Sequence, residues 1–277
     1  MSSSGSIAFI GGGNMARSLI GGLVNRGCDP TRIRVAEPLE ALRAALHRDF
    51  GIHAFERAEQ AAAGASTWLL AVKPQVAREA CAALAGLVAQ GQPLLVSIAA
   101  GITTAQLRRW LDAAALPVVR AMPNTPALLG AGVTGLYATA DVDTHSRAEA
   151  ERLLGSAGKT VWIEEEALMD AVTAVSGSGP AYVFLLAEAM QAAALRQGLS
   201  AEAARTLVIQ TITGAARMLD ETGESAAELR RRVTSPGGTT QAAIETFEAG
   251  GFAPLVDAAI ARARERGRTL SADNDQA

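Results

Sequence analysis

The segment Ile7–Ala16 places an apolar run directly before a glycine-rich turn, and helix-like sequence follows the turn. Gly11, Gly13 and Ala16 occupy the three small-residue positions of the pattern G-x-G-x-x-G/A. Gly11 permits the tight turn, Gly13 lets backbone N–H groups approach a pyrophosphate, and Ala16 lets the helix lie close to the strand. The pattern predicts a strand–turn–helix unit that binds a dinucleotide; an ordinary strand-to-helix turn is the alternative.

Short apolar runs alternate with amphipathic stretches through the first half of the chain, which is typical of a parallel sheet covered by helices. Five runs predict the main strands, and two later runs predict further strands at the sheet edge: Ser6–Ile10, Arg32–Ala36, Thr67–Val72, Leu94–Ile98 and Val118–Met122, then Val133–Ala138 and Thr160–Ile163. The first half is therefore predicted to be a doubly wound α/β domain.

The pattern of apolar residues changes in the second half, since from about Glu166 onward every segment has the residue spacing of a helix. One long helix is predicted to begin close to Pro180 and to end near Gly198. We therefore predict a Rossmann domain over residues 1–166 and an all-helical domain over residues 167–277. The polar residues from Ser271 to Ala277 are predicted to form a frayed tail.

The charge distribution favours a small-molecule partner. The chain has 25 basic and 28 acidic residues that are mixed along its length, so it lacks the basic patch expected of a protein that binds nucleic acid. No apolar run reaches the ~18 residues needed to span a membrane, and no leader pattern opens the chain. Cys28 and Cys81 are expected to be buried thiols in a reducing compartment, and the three histidines have no metal-ligand spacing. We expect a cytoplasmic protein without a metal site, a membrane partner or a nucleic-acid partner.

Several polar or small residues follow the predicted strands, at the sheet edge where doubly wound folds bind ligands. Glu37 can accept hydrogen bonds from ribose hydroxyls, or it can be a solvated carboxylate before a proline. The segment Ala71–Pro74 can meet the cofactor, or Lys73 can be a surface residue before a helix. Ser97–Gly101 and Met122–Pro126 end the next two strands. Together these segments predict one ligand-binding rim along that edge of the sheet.

Two glycine turns interrupt the helical half. Ser176–Tyr182 contains two glycines and leads into the long helix, and a helix–helix corner is the alternative interpretation. Ser235–Gln241 opens another helix, and its N–H groups can form a nest for a carboxylate. The upstream Arg230–Arg232 is interpreted as a solvated or interface face.

Five segments of this chain, in the same order, resemble the pyrroline-5-carboxylate reductase family. They span nearly the whole chain: Phe9–Ala16, Ala71–Gln75, Met122–Pro126, Ala174–Tyr182 and Val233–Thr240. The resemblance implies an N-terminal Rossmann domain, a C-terminal helical domain that dimerises by interlocking its helices, and assemblies that include rings of dimers. It also implies hydride transfer from NADPH or NADH to the C=N bond of 1-pyrroline-5-carboxylate, which gives L-proline.

The resemblance assigns roles by position. The pyrophosphate is expected on Gly11, Gly13, Asn14 and Met15, and the nicotinamide half is expected beside Ala71, Val72, Lys73, Pro74, Ala100 and Gly101. The substrate is expected to contact Met122, Ser235, Gly238, Thr239 and Thr240. Thr240 is the catalytic candidate, since a hydroxyl or a water molecule can protonate a cyclic imine and the recognised motifs contain no histidine or carboxylate.

Two departures from the family pattern leave the choice between NADH and NADPH open. Glu37 stands where relatives that use NADPH have a small or neutral polar residue, and Ala58 stands where an asparagine is expected near the adenosine. A carboxylate at position 37 would repel a 2′-phosphate, although Arg34 or Arg43 can reach the same region and offset the repulsion.

Two other functions share part of this sequence pattern. A β-hydroxyacid dehydrogenase needs a base, commonly a lysine on the long helix, but Ala171–Ala194 contains no lysine. A nucleotide-sensing protein without activity would keep the first glycine turn and would not need Ser235–Thr240. An imine reductase accounts for both turns.

Overall fold

The computed structural model describes residues 5–276. It divides into two compact units, one made of the described residues up to Ser178 together with those from Ala263 onward, and one made of Gly179–Arg262. The predicted domain division at Glu166 stays a prediction. The leader-free N-terminus predicted for Met1–Ser4, and Ala277 of the predicted tail, lie outside the described residues.

The first unit contains an eight-stranded sheet in the order β3-β2-β1-β4-β5-β6-β7-β8. Neighbouring strands are parallel, except that β6 and β7 are antiparallel. The strand bounds are β1 Ile7–Ile10, β2 Ile33–Ala36, β3 His53–Phe55, β4 Thr67–Leu70, β5 Leu94–Ser97, β6 Val118–Met122, β7 Gly132–Ala138 and β8 Gly158–Trp162. All seven predicted strands are found, with ends that differ by up to two residues. The prediction missed β3, because this edge strand has three residues and none of them is buried.

The helices alternate with strands in the first unit and follow one another in the second. Their bounds are α1 Asn14–Asn25, α2 Glu40–Phe50, α3 Ala58–Ala62, α4 Pro74–Gly91, α5 Thr104–Trp110, α6 Thr144–Leu154, α7 Met169–Val172, α8 Gly179–Arg196, α9 Ala201–Glu221, α10 Ala226–Arg232, α11 Thr239–Ala249 and α12 Phe252–Gln276. Between α7 and α8 the segment Thr173–Gly177 is a π-helical turn. The predicted Rossmann sheet followed by helices is confirmed. Among the described residues, no helix combines the length and hydropathy needed to cross a bilayer.

Alternate residues of the central strands β1, β4 and β5 face two separate apolar cores. Phe9 on β1 belongs to the core that also contains Leu19 of α1 and Leu153 of α6. The next residue, Ile10, faces the core formed with α3, α4 and α5, which contains Cys81. Each fully buried Leu, Ile or Phe contributes about 1.5–3 kcal/mol to folding, so these two layers fix the position of the sheet.

The two cysteines lie in different environments. Cys81 is buried as predicted, and burial raises the pKa of its thiol to about 12. Cys28 is only partly buried, so its predicted burial was wrong. It follows the end of α1, where apolar spacing no longer controls exposure.

The predicted frayed tail was also wrong for the described residues, because α12 continues through them to Gln276. Two hydrogen bonds join this end of α12 to the first unit. The Nε2 group of Gln106 donates to the Ser271 carbonyl at 3.2 Å, and Nδ2 of Asn274 donates to the Gly101 carbonyl at 3.3 Å. Tertiary contacts therefore hold polar sequence in a helix that its composition alone would not predict.

Candidate active site

The glycine turn joins β1 to α1 with a geometry that only small residues allow. Gly11 has φ +104°, and a Cβ there would lie 2.7 Å from the Ala71 carbonyl oxygen, so a side chain would be strained and would clash. Around a Cβ built at Gly13, no described atom lies within 4 Å. Gly13 is the N-cap of α1, whose first N–H groups have no acceptor within the helix. This arrangement fits the pyrophosphate of a dinucleotide.

The carboxylate of Glu37 folds back onto the glycine turn. One oxygen accepts the N–H of Gly12 at 3.1 Å and the other accepts the N–H of Leu39 at 3.0 Å. Glu37 is 8% exposed. It follows β2, and the pairing of Ala36 with Ile10 sets it beside the turn. A fixed negative charge therefore lies next to the predicted ribose position, with lone pairs left for hydroxyl donors.

The two nearby arginines bind backbone carbonyls. Arg43 donates to the carbonyls of Glu37 at 2.8 Å and Pro38 at 2.6 Å. Arg34 donates to the carbonyls of Ala63 and Gln60, and its guanidinium lies 5.0 Å from the Phe55 ring centroid. Both guanidinium groups are thus engaged in holding the chain around β2 and α3.

The sheet register brings the other predicted rim segments to the same edge as the glycine turn. The N–H of Ala71 donates to the Ile10 carbonyl at 2.8 Å, and the N–H of Ile98 donates to the Leu70 carbonyl at 3.1 Å. The predicted rim segments Ala71–Pro74, Ser97–Gly101 and Met122–Pro126 therefore lie at the ends of the neighbouring strands β4, β5 and β6. Their roles in binding remain predictions.

The end of β6 is tied to the π-helical turn by Asn124, a residue for which we predicted no separate role. Its Nδ2 donates to the Ser176 carbonyl at 3.1 Å, and its Oδ1 accepts the N–H of Val133 at 3.0 Å. Met122 packs against Gly177, where a Cβ would lie only 2.5 Å from the Met122 Cε. The first glycine turn of the helical half is thus seated on the strand that carries Met122. Helices that widen to a π turn often do so at functional sites.

A buried ionic network that we did not predict supports the same strand. Arg120 on β6 lies 3.2 Å from the Glu166 Oε1 and 3.5 Å from the Asp170 Oδ1, and its side chain is 7% exposed. Glu166 also accepts the N–H of Thr104 at 2.8 Å and its hydroxyl at 2.6 Å. The signal in the sequence was an arginine inside the apolar strand Val118–Met122.

We expect Arg120→Ala to lower the free energy of unfolding by about 3 kcal/mol, because it leaves two carboxylates without their buried partner. Urea unfolding followed by circular dichroism measures this change. Arg48→Ala is the control, since Arg48 pairs with Asp49 while its own side chain is 72% exposed, and such pairs contribute little. Equal effects of the two variants would contradict the role of Arg120.

The turn before α11 lies in the second unit. Gly238 is the N-cap of α11 and its own N–H donates to the Ser235 carbonyl at 3.0 Å, while the Gly237 N–H donates to the Gln241 Oε1 at 2.7 Å. The first-turn N–H groups of Thr239 and Thr240 are those that a helix leaves unpaired. Thr240 is the second residue of the helix and does not cap it. Its hydroxyl is therefore not needed to begin α11.

Comparisons with known proteins agree with this geometry. Residues 166–270 match the family model described as pyrroline-5-carboxylate reductase dimerisation, and residues 6–101 match the model described as NADP oxidoreductase coenzyme F420-dependent. A pyrroline-5-carboxylate reductase of Pseudomonas aeruginosa is 50% identical over 265 residues, which cover 96% of each chain. The chain belongs to the pyrroline-5-carboxylate reductase family.

Two solved structures of this family share the fold over nearly the full length. A pyrroline-5-carboxylate reductase from Coxiella burnetii superposes with a TM-score of 0.93 at 41% identity, covering 97% of this chain and 99% of that chain. A pyrroline carboxylate reductase from Plasmodium falciparum, solved with NADP bound, gives 0.85 at 26% identity, covering 98% and 100%. The resemblance noted from the sequence motifs is confirmed.

Within residues 5–276, no three His, Cys, Asp or Glu side chains lie close enough together to hold a metal ion. What the motifs did not predict is the layer behind them: Asn124, the Arg120 network and the end of α12. These residues support the segments expected to touch the ligands.

Proposed function

We propose that this protein reduces the C=N bond of 1-pyrroline-5-carboxylate with NADH or NADPH and so forms L-proline, the last step of proline biosynthesis. The observation that carries the proposal is the open N-terminus of α1 at Gly13, closed behind by Gly11 against Ala71. In a member of this family, an open helix N-terminus behind a tight glycine turn can bind the pyrophosphate of a dinucleotide. A cytoplasmic location is part of the proposal, supported by two cysteines that remain free thiols.

The cofactor is proposed to lie along the rim of the first unit. The first turn of α1 at Gly13, Asn14 and Met15 would hold the pyrophosphate, and Glu37 would accept the ribose hydroxyls. Ala71–Pro74 and Ala100–Gly101 would border the nicotinamide half. When bound, the cofactor supplies the hydride.

From the sequence we expected the N–H groups of Gly238 and Thr239 to hold the substrate carboxylate, but the Gly238 N–H donates to the Ser235 carbonyl at 3.0 Å. The carboxylate is therefore proposed to bind to the N–H groups of Thr239 and Thr240, within the turn from Ser235 to Gly238. Met122 would contact the ring. Hydride adds to the imine carbon and a proton goes to the ring nitrogen, for which the Thr240 hydroxyl is the proposed donor. The residues of the chain thus orient the two reactants and exclude water, and that positioning supplies most of the rate enhancement.

A direct assay tests the proposal. The purified protein is mixed with 1-pyrroline-5-carboxylate and NADH or NADPH, the loss of nicotinamide absorbance is followed, and proline is measured by chromatography. We expect one proline for each nucleotide oxidised. Turnover no faster than the buffer rate with both nucleotides would refute the proposed function.

The second unit supports a homodimer, because its helices leave large apolar side chains uncovered. Phe184 is 67% exposed, Leu185 is 66% exposed and Leu255 is 67% exposed. The same unit has an apolar groove of about 620 Å³, whose lining includes Leu186, Met190, Ile244, Phe247, Phe252 and Pro254. Exposed apolar area of this extent indicates an interface. We propose that a second copy covers it and that dimers associate further into rings.

We expect light scattering to detect no stable monomer at micromolar concentration. Phe184→Asp should prevent the dimer, since it puts a charge on the proposed interface. Leu129→Asp in the first unit is the matched control, because Leu129 is 88% exposed but lies outside the dimerisation region. A folded and active wild-type monomer would rule out the obligate dimer, and the mass of the wild-type particle distinguishes single dimers from rings.

A further inference from the structure

The last turns of α12 pack on the turn that follows β5. That turn contains Gly101, which has φ +72° and therefore a conformation that other residues rarely adopt. A Cβ built at Gly101 would lie 3.4 Å from the Asn274 Nδ2 and 3.6 Å from the Ser271 Oγ, so both residues lie directly against it. The Asn274 amide donates a hydrogen bond to the Gly101 carbonyl at 3.3 Å.

The hydrogen bonds inside this turn are long. The N–H of Ile102 reaches the Ala99 carbonyl at 3.4 Å, and the N–H of Ala99 reaches the Ser97 Oγ at 3.3 Å. Both exceed the usual 2.7–3.2 Å range for N–H···O bonds, so they constrain the turn only weakly. The Asn274 bond to the Gly101 carbonyl is of similar length, so the position of the Gly101 peptide depends on these bonds together with the packing of Ser271 and Asn274 against it.

A second anchor fixes α12 to the helix after the turn. Gln106 is 2% exposed, and its Oε1 accepts the N–H of Thr103 at 2.7 Å within the capping box of α5. Its Nε2 donates to the Ser271 carbonyl at 3.2 Å. One buried amide thus joins the start of α5 to the same turn of α12 that carries Ser271. Because the same Gln106 side chain makes both bonds, the capping box of α5 fixes the orientation of the amide that binds α12.

We propose that Asn274 is a positioning residue for the reductase, and that with Gln106 it holds the Ala100–Gly101 turn against the nicotinamide half of the bound nucleotide. This inference rests on the proposed function for the identity of that ligand. A small misplacement of a reacting ring reduces the rate steeply, because hydride transfer needs near-attack geometry. The adenosine half, at the other end of the rim, should not depend on α12.

The test compares Asn274→Asp with Ser271→Ala. The first variant keeps the shape of residue 274 and replaces the donor by an oxygen that faces a carbonyl oxygen. The second variant is a matched control from the same contact, since the buried Ser271 hydroxyl has no hydrogen-bond partner among the described residues and its carbonyl is retained. Calorimetric dissociation constants are measured for NADH, or for NADPH if wild type binds that nucleotide more tightly, and for ADP-ribose, which lacks the nicotinamide ring. Melting temperatures check that both variants fold.

We expect Asn274→Asp to weaken binding of the reduced nucleotide about fivefold and to lower kcat about tenfold, while its ADP-ribose constant stays within about twofold of wild type. Ser271→Ala should match wild type in all three values. Deleting residues 271–277 should reproduce the Asn274→Asp pattern, since it removes both anchors. A loss shared equally by the two ligands, no loss at all, or the same loss in Ser271→Ala would overturn the proposal.

The ratio of the dissociation constants for the reduced nucleotide and for ADP-ribose separates this proposal from the proposed function. If wild type binds the reduced nucleotide and does not reduce 1-pyrroline-5-carboxylate, the function fails, yet the ratio of the two dissociation constants in Asn274→Asp still tests the positioning role. If wild type reduces the substrate and Asn274→Asp leaves the ratio and kcat unchanged, the function stands and the positioning role is refuted.

Discussion

Thr240→Ala is expected to lower kcat/KM for 1-pyrroline-5-carboxylate by about 10²-fold, the lower end of what a positioned proton donor contributes. The reason lies in the turn before α11. Thr240 is the second residue of that helix, and the cap is Gly238, so the hydroxyl is not used to begin the helix. The N–H groups of Thr239 and Thr240 would still hold the carboxylate in the variant. Cofactor affinity and fold should therefore be unchanged.

Two further variants define the role of the Thr240 hydroxyl. Thr240→Ser keeps the hydroxyl and should retain most activity. Thr246→Ala is the control on the same helix, since the Thr246 hydroxyl donates only to the Ala242 carbonyl of its own helix. Steady-state kinetics and thermal melts are measured on all three. A lower melting temperature of Thr240→Ala with unchanged kinetics would show that Thr240 is structural and that the proton comes from elsewhere.

Glu37→Ser is expected to raise the ratio of kcat/KM for NADPH to that for NADH by on the order of 30-fold, because a buried carboxylate beside the ribose repels a 2′-phosphate by about 2 kcal/mol. Backbone N–H groups of Gly12 and Leu39 hold that carboxylate in place. Arg34 and Arg43 each donate to backbone carbonyls. The wild-type enzyme should use NADH at least comparably to NADPH.

Glu40→Ser is the control for this prediction, because Glu40 is an exposed acid in the first turn of α2, three residues after Glu37. It should leave the nucleotide ratio nearly unchanged. Glu37→Ser also leaves two N–H groups without their acceptor, at a cost of about 1–3 kcal/mol of stability, so kinetics are measured well below its melting temperature. A wild-type enzyme that ignores NADH would contradict the interpretation of Glu37.

Much of the fold, and the positions of the segments that form the predicted rim, follow from local sequence. A buried strand needs an uninterrupted apolar run, and a Rossmann turn needs small residues at fixed places, so Ile7–Ile10 and Gly11–Gly13 could be located without coordinates. The segments after β4, β5 and β6 were predicted to share one edge because the carboxyl ends of parallel strands do. The edge strand His53–Phe55 was not predicted because one exposed and two partly buried residues give no periodic signal.

The supporting contacts were decided by tertiary structure alone. Arg120 and Glu166 are 46 residues apart in sequence, and Gln106 and Ser271 are 165 apart, so no local pattern records that they meet. Residues 271–276 were predicted to fray from their composition, but they form the end of α12 because its contacts with Gly101 and Gln106 outweigh weak helix propensity. Sequence periodicity encodes which side of an element is buried. The partner that buries it is chosen only when distant segments pack. This is why the turns and strand ends expected to meet the ligands could be located from the sequence, whereas the residues that support them could not.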